Sequence, residues 1–203
     1  MKLICGIDEA GRGAVIGPLV VAGVFIQKRE EKILKEIGVK DSKLLSPQKR
    51  EEIFKQLKRQ KTKFHFFEIS PKAIDSKSIN ELEIEAARKL IKKFEPQRIF
   101  LDVPAAGKGI ENYCNKLREK VGKGIEVIGG NKFDSLHLVV GAASIVAKVM
   151  RDRAIARLKK KYGDFGSGYP NERTITYLRA NYEKLKPIVR MKWKTIRDLR
   201  FKK

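Results

Sequence analysis

The chain has 203 residues, 46 of them Lys or Arg against 24 Asp or Glu, which leaves a formal net charge of +22 at neutral pH. With 42% hydrophobic residues spread along it, the length suits one ordinary packed domain and excludes disorder as the main state. The longest uncharged stretch, Gly13 to Gln27, has 15 residues, short of the roughly 20 that a membrane-crossing helix needs.

Asp8 and Glu9 interrupt the only early apolar run, so no secretory signal peptide is expected. Two cysteines, Cys5 and Cys114, make neither a disulfide framework nor a CxxC metal knot, and the expected compartment is a reducing cytoplasm. The surplus of positive charge points to a polyanionic partner, nucleic acid ahead of an anionic membrane surface. A thermophile's ion-pair-rich surface accounts for the high charged fraction but not for the imbalance of sign.

Along the chain, Lys2 to Asp8 predicts a strand, with Leu3, Cys5 and Ile7 alternating. Gly11-Arg12-Gly13 and Gly17-Pro18 mark turns, and Leu19 to Gln27 predicts a second strand hairpinned to the first. Ser46-Pro47 starts a helix that runs to about Lys58. Lys63 to Ile69 reads as a third strand. Asn80 with Glu83 reads as a capping arrangement opening a helix that Pro96 closes. Gln97 to Val103 is a short strand, Lys108 to Val121 a helix, and Ile125 to Ile128 a strand. The longest helical pattern spans Asp134 to Tyr162, with a stripe at Leu136, Val140, Ala143, Ala147, Met150, Ala154 and Leu158. After Gly163 come a Gly166–Pro170 loop, a helix from Asn171 to Leu185 and a basic tail. The expected fold is α/β: a five-stranded mixed sheet flanked by helices over residues 1–165, with a small C-terminal helical extension over 166–203.

The histidines, His65 and His137, offer no Ser-His-Asp triad and make a zinc site a poor expectation. Neither glycine signature for cradling phosphates, GxxxxGK[ST] or GxGxxG, occurs. Carboxylates remain. Asp8 and Glu9 end the first strand, Asp102 ends a later one, and Asp134 opens the long helix. In an open α/β sheet, sites form at the carboxyl ends of strands. Each acid has a bland alternative as a turn residue, a strand end or, for Asp134, a helix N-cap. Acids surrounded by positive charge repel phosphate unless hard divalent ions sit between them. Two such ions stabilise the attacking and leaving oxygens of an in-line displacement. That combination describes a metal-dependent nuclease.

Residues 6–13, Gly-Ile-Asp-Glu-Ala-Gly-Arg-Gly, resemble the signature of the type 2 ribonucleases H, the ribonuclease HII family. So do Gly17-Pro18, Asp41-Ser42-Lys43 with Leu45-Ser46, Ala142–Val149 with Arg151-Asp152, Gly166-Ser-Gly-Tyr-Pro170, and Val189-Arg190 with Trp193. The SGYP loop and the Arg-Trp tail look like the archaeal and eukaryotic branch. Asn131 stands where that branch often has His, and Asn171-Glu172-Arg173 where Ser-Asp-Pro is usual. The resemblance implies a ribonuclease H-like fold and metal ligands at Asp8, Glu9, Asp102 and Asp134, with Asp8 between two Mg²⁺ or Mn²⁺ ions. It implies endonucleolytic hydrolysis of RNA in RNA–DNA hybrids. It also implies incision 5′ of ribonucleotides embedded in duplex DNA, leaving 3′-hydroxyl and 5′-phosphate ends. Gly11-Arg12-Gly13 matches the element that reads the ribose 2′-hydroxyl, and Tyr169 the residue that packs on the deoxyribose beyond the junction. Lys43, Ser144 and Lys148 match positions near phosphate, and Ser144, Lys148 and Asp152 share one helix face. A monomer is expected, without a clamp-binding peptide, since Ile196 to Lys203 lacks paired aromatics. Two rivals are a resolvase- or transposase-like nuclease on the same fold, which lacks the glycine–arginine–glycine turn, and a silent nucleic-acid-binding module with structural acids.

Overall fold

The computed structural model describes residues 3–39 and 44–199. Strands β1 (Leu3–Ala10) and β2 (Leu19–Gln27) pair antiparallel, with Asp8 opposite Ala22. A 3-10 turn at Lys28–Glu30 leads into α1 (Glu31–Glu36), too short to leave a periodic signal in the sequence. Helix α2 (Pro47–Arg59) begins at the Ser46-Pro47 signal, where the Ser46 hydroxyl accepts from the Lys49 amide at 3.1 Å. Strand β3 (Lys63–Ile69) pairs antiparallel with β2, and α3 (Pro71–Ser76) and α4 (Ile79–Phe94) follow.

Ser78, not Asn80, is the N-cap of α4. The Asn80 and Glu83 side chains are both engaged by Arg12, so a tertiary contact has displaced the expected capping arrangement. Strand β4 (Arg98–Asp102) lies parallel to β1, and α5 (Lys108–Val121) returns the chain to β5 (Glu126–Gly130), parallel to β4. The resulting sheet has five strands in the order β3-β2-β1-β4-β5, mixed as the sequence predicts.

The stretch from Asp134 to Tyr162 is not one helix. It divides into α6 (Phe133–Leu136) and α7 (Leu138–Tyr162), with His137 extended between them at φ −124° and ψ 115°. The His137 ring stacks on Phe100 and meets Phe133 edge-on, both at 4.5 Å between centroids, and this packing holds the kink. Asp134 is therefore inside a one-turn helix rather than the N-cap of a long one. Leu136, the first member of the expected apolar stripe, is 69% exposed. The helix expected from Asn171 to Leu185 likewise breaks, into α8 (Glu172–Ala180) and α9 (Tyr182–Leu185), and the tail holds a further short helix, α10 (Lys194–Asp198).

Helix α7 lies on one face of the sheet with α1 and α2, sharing a core with Ile4, Val20 and Val24. Helices α4 and α5 cover the other face over Cys5, Ile7 and Val21. A third apolar cluster joins Val15 and Ile16 to Ile155, Phe165, Leu178 and Val189, and Ile16 and Val189 form a β-bridge. Among the described residues no helix is long and apolar enough to cross a membrane.

Gly6 lets α7 approach β1, since a Cβ there would sit 2.2 Å from the Val139 carbonyl oxygen. Gly6→Val should cost about 2–3 kcal/mol in chemical denaturation. Gly13→Ala, exposed and with nothing closer than a ring carbon of Tyr169 at 3.8 Å, should stay within about 0.5 kcal/mol of the parent. Equal stability of the Gly6→Val protein would show that α7 does not rest on β1.

Candidate active site

Parallel pairing places Ile7 beside Leu101, so Asp8 and Asp102 follow the last paired residues of β1 and β4, side by side at the carboxyl edge of that ladder. Asp102 then recruits the third acid. Its Oδ1 accepts the Phe133 amide at 3.1 Å, which fixes the start of α6 and the position of Asp134 one residue on. Carboxylate oxygens of Asp8, Asp102 and Asp134 lie within 4.8 Å of one another. Asp8 and Asp134 are buried and Asp102 is half-buried.

Three acids this close repel one another. Burial, above all, pushes the Asp8 carboxyl up to about 7, and Asp102 and then Asp134 add repulsion. A hydrogen bond from Ser144 and the Glu9 amide, 2.7 Å from Asp8 Oδ1, oppose that rise. An all-oxygen set of carboxylates with a surplus of negative charge fits a hard divalent cation of the Mg²⁺ or Mn²⁺ class.

Glu9 lies outside the set held within 4.8 Å, close enough to feel the charges of Asp8 and Asp102. The alternation of β1 turns it to the opposite face, with Cys5 and Ile7, toward α4. Burial holds its carboxyl well above the usual range, with repulsion from Asp8 and Glu83 added and attraction to Arg12 opposing.

Next to the acids, the Gly11-Arg12-Gly13 turn is fastened from behind by Arg190, which is fully buried. Its Nη2 donates to the Gly11 carbonyl at 2.7 Å and its Nη1 to the Arg12 carbonyl at 2.8 Å. A trans peptide points its N–H opposite to its C=O, so the amides of Arg12 and Gly13 face away from Arg190. Gly11 has φ +92°, and a Cβ there would sit 2.2 Å from Arg151 Nε. Gly13 has no positive φ and is exposed, so the fold itself leaves that position open. The Gly166–Pro170 loop closes on the turn: the amides of Val15 and Ile16 donate to the Gly168 carbonyl at 2.8 and 3.1 Å. Tyr169, 38% exposed, faces Gly13 and has the Arg151 guanidinium over its ring at 4.6 Å.

The ribonuclease HII family model matches residues 5–196. The chain belongs to the ribonuclease HII family. A ribonuclease HII of Thermococcus sibiricus is 41% identical over 202 residues, covering 96% of this chain and 89% of that protein. The solved ribonuclease H2 of Pyrococcus horikoshii superposes with a TM-score of 0.87 at 39% identity, over 97% of this chain and 96% of its own. The ribonuclease HII of Archaeoglobus fulgidus, solved in complex with PCNA, gives 0.85 at 40% identity over 95% of each. These relatives are archaeal, in keeping with the SGYP loop and the Arg-Trp tail. Membership in the family makes the protein a hydrolytic enzyme, an endoribonuclease acting on RNA in RNA–DNA hybrids.

The remaining residues matched to the family pattern fall at graded depths. Ser144 is fully buried against Asp8, Lys148 one turn on is half-buried, and Asp152 is exposed and paired with Arg50 at 3.5 Å. That stripe on α7 climbs from the acids to the surface. Lys43, with Asp41 and Ser42, lies outside the described residues. Asn131 bridges the carbonyls of Val103 and Ala105 at 2.7 and 2.5 Å, and Asn171 caps α8 by accepting from the Thr174 amide at 2.9 Å. Arg12 directs its guanidinium to Glu83 and Asn80 on α4. Motif reading finds Asn80 and Glu83 only as a capping arrangement, not as the partners of Arg12. The available signal is a charge at position 83, in helical register with Ala86, Ala87 and Leu90 on the buried face of α4.

Asp8 titrates from 3.8 when unfolded to about 7 when folded without a cation. Between those values the folded state keeps a proton that the unfolded state has released, so stability falls as pH rises through the window. In chelator, Asp8→Asn should therefore melt higher than the parent at pH 8 and no higher at pH 4. Saturating Mg²⁺ should raise the parent's Tm at pH 8 and leave that of Asp8→Asn nearly unmoved. Parallel pH profiles for the two metal-free proteins would contradict this.

Proposed function

We propose that this enzyme also incises duplex DNA 5′ of an embedded ribonucleotide, with Mg²⁺ or Mn²⁺ as cofactor, leaving 3′-hydroxyl and 5′-phosphate ends. The observation that carries the reading is the convergence of Asp8, Asp102 and Asp134 within 4.8 Å beside an exposed glycine turn that faces Tyr169. In this reading those three acids and Glu9 hold the ions. The cations, two with substrate bound, supply Lewis-acid stabilisation of the attacking and leaving oxygens of an in-line phosphodiester hydrolysis.

The chain's own residues position the substrate. The outward amides of the Gly11–Gly13 turn meet the ribose, whose 2′-hydroxyl is what distinguishes RNA from DNA. Tyr169 offers a ring face to the next sugar, and its stack with Arg151 holds it in place. Ser144, Lys148 and Lys43 serve the phosphate backbone. The segment from residue 166 onward contributes to substrate binding by supplying the wall opposite the turn. The net charge of +22 draws the duplex in through counterion release. In this reading the protein acts as a monomer in the cytoplasm.

The test is cleavage of a labelled duplex carrying one ribonucleotide, with products mapped to the nucleotide. Asp8→Asn and Asp102→Asn should each lower the rate about 100-fold or more while binding the duplex at least as tightly as the parent. Ca²⁺ should support binding with little turnover. Binding should weaken steeply with salt. A silent binding module would show the same salt dependence and leave the duplex intact in every metal. Substantial cutting by both variants in Mg²⁺ would remove these acids from the mechanism.

A further inference from the structure

Glu83 is 2% exposed, on the face of α4 that packs into the core. Its Oε2 accepts from Arg12 Nη1, and its Oε1 is buried without a hydrogen-bond partner. Asn80, one turn earlier and exposed, accepts from Arg12 Nη2 at 2.5 Å. A half-satisfied buried carboxylate is a poor source of stability, because desolvation offsets much of what the ion pair returns. An apolar residue at position 83 would continue the surface formed by Ala86, Ala87 and Leu90 at lower cost. The arrangement therefore serves the position of Arg12.

Arg12 sits between two glycines, whose backbone freedom leaves the turn poorly determined by local chemistry. Arg190 fixes the carbonyls of that turn from below, and α4 fixes its one side chain. The Arg12 guanidinium also attracts Glu9, which Glu83 repels. From this geometry we infer that Glu83, aided by Asn80, is a positioning residue for ribose recognition. It anchors Arg12, and through Arg12 it sets the Gly11–Gly13 turn. The inference rests on the reading that this turn meets the ribose.

The test uses the full-length protein and the duplex with a single ribonucleotide. Glu83→Ala should lower kcat roughly 10–100-fold, while Kd for the duplex in Ca²⁺ moves by less than about threefold. Glu83→Gln keeps an oxygen for Arg12 and should stay within about threefold of the parent. Asn80→Ala, a surface change that leaves the core intact, should lower kcat in the same direction by a smaller factor. In the Arg12→Ala background, Glu83→Ala should add nothing further, because the residue it acts through is gone.

A folded Glu83→Ala protein that cuts like the parent overturns the inference. So does an equal loss in the Arg12→Ala background, or a Glu83→Gln protein as slow as Glu83→Ala. A loss of activity that tracks only the fraction melted assigns Glu83 to stability and overturns it as well. A parent that cuts hybrids but leaves the embedded ribonucleotide intact overturns the proposed incision. Normal incision by the parent with an unaffected Glu83→Ala overturns this inference alone.

Discussion

Like charges brought close in a protein interior push the structure apart, and Asp8, Asp102 and Asp134 are held within 4.8 Å. The scaffold around them resists that push. Two of the acids lie side by side just past the parallel pairing of β1 and β4, and the third rides on a one-turn helix tied to Asp102 by the Phe133 amide. Helix α7 is buried along its first half and seats Ser144 on Asp8, an approach that Gly6 permits. Burial above all, with repulsion from Asp102 and Asp134 added, keeps a proton on Asp8 to about pH 7. Without a cation the site is a source of instability, and cation binding and folding are coupled through it.

The positive charge inside the molecule follows a different rule. Arg151 and Arg190 are both buried, and their hydrogen bonds go to peptide carbonyls: Ser167 for Arg151, and Gly11, Arg12 and Gly17 for Arg190. Each also lies over an aromatic ring, Tyr169 and Trp193 respectively. Burial, with Arg151 nearby, lowers Arg190 to about 10, which leaves it charged at neutral pH. Planar guanidiniums with several donors can hold irregular backbone that has no strand or helix partner. Here they join the first turn of the chain to its last third, and the Asp75 carboxylate adds bonds to the Met191 and Lys192 amides at 2.8 and 3.0 Å. The face presented to the substrate is thereby assembled from segments some 180 residues apart, at Gly11 and Arg190.

Much of the scaffold was legible. Alternating apolar residues marked the strands, and Ser46-Pro47 marked a helix start, because these are local preferences of backbone and side chain. Failures came where a contact distant in sequence overrode the local signal. Asn80 and Glu83 have the spacing of a cap but answer to Arg12. Asp134 has the chemistry of an N-cap, yet the packing of His137 between Phe100 and Phe133 breaks the helix beyond it. Arg12 falls in the turn that the resemblance assigns to ribose reading, and only α4 shows where its guanidinium goes.

By itself the sequence determined the family, the α/β class and the acids that end strands, because motif residues and hydrophobic periods are written in chain order. It also determined the sign of the partner's charge, which is a matter of counting. Tertiary structure alone decided which acids meet. Parallel pairing of β1 with β4 brings Asp102 to Asp8 from across the chain, and the Asp102–Phe133 bond brings in Asp134. It decided too that Gly11 needs its glycine for backbone conformation, whereas Gly13 is open to whatever binds there. The physical reason is common to both: proximity in space depends on register and packing, and neither is encoded at the residues that meet.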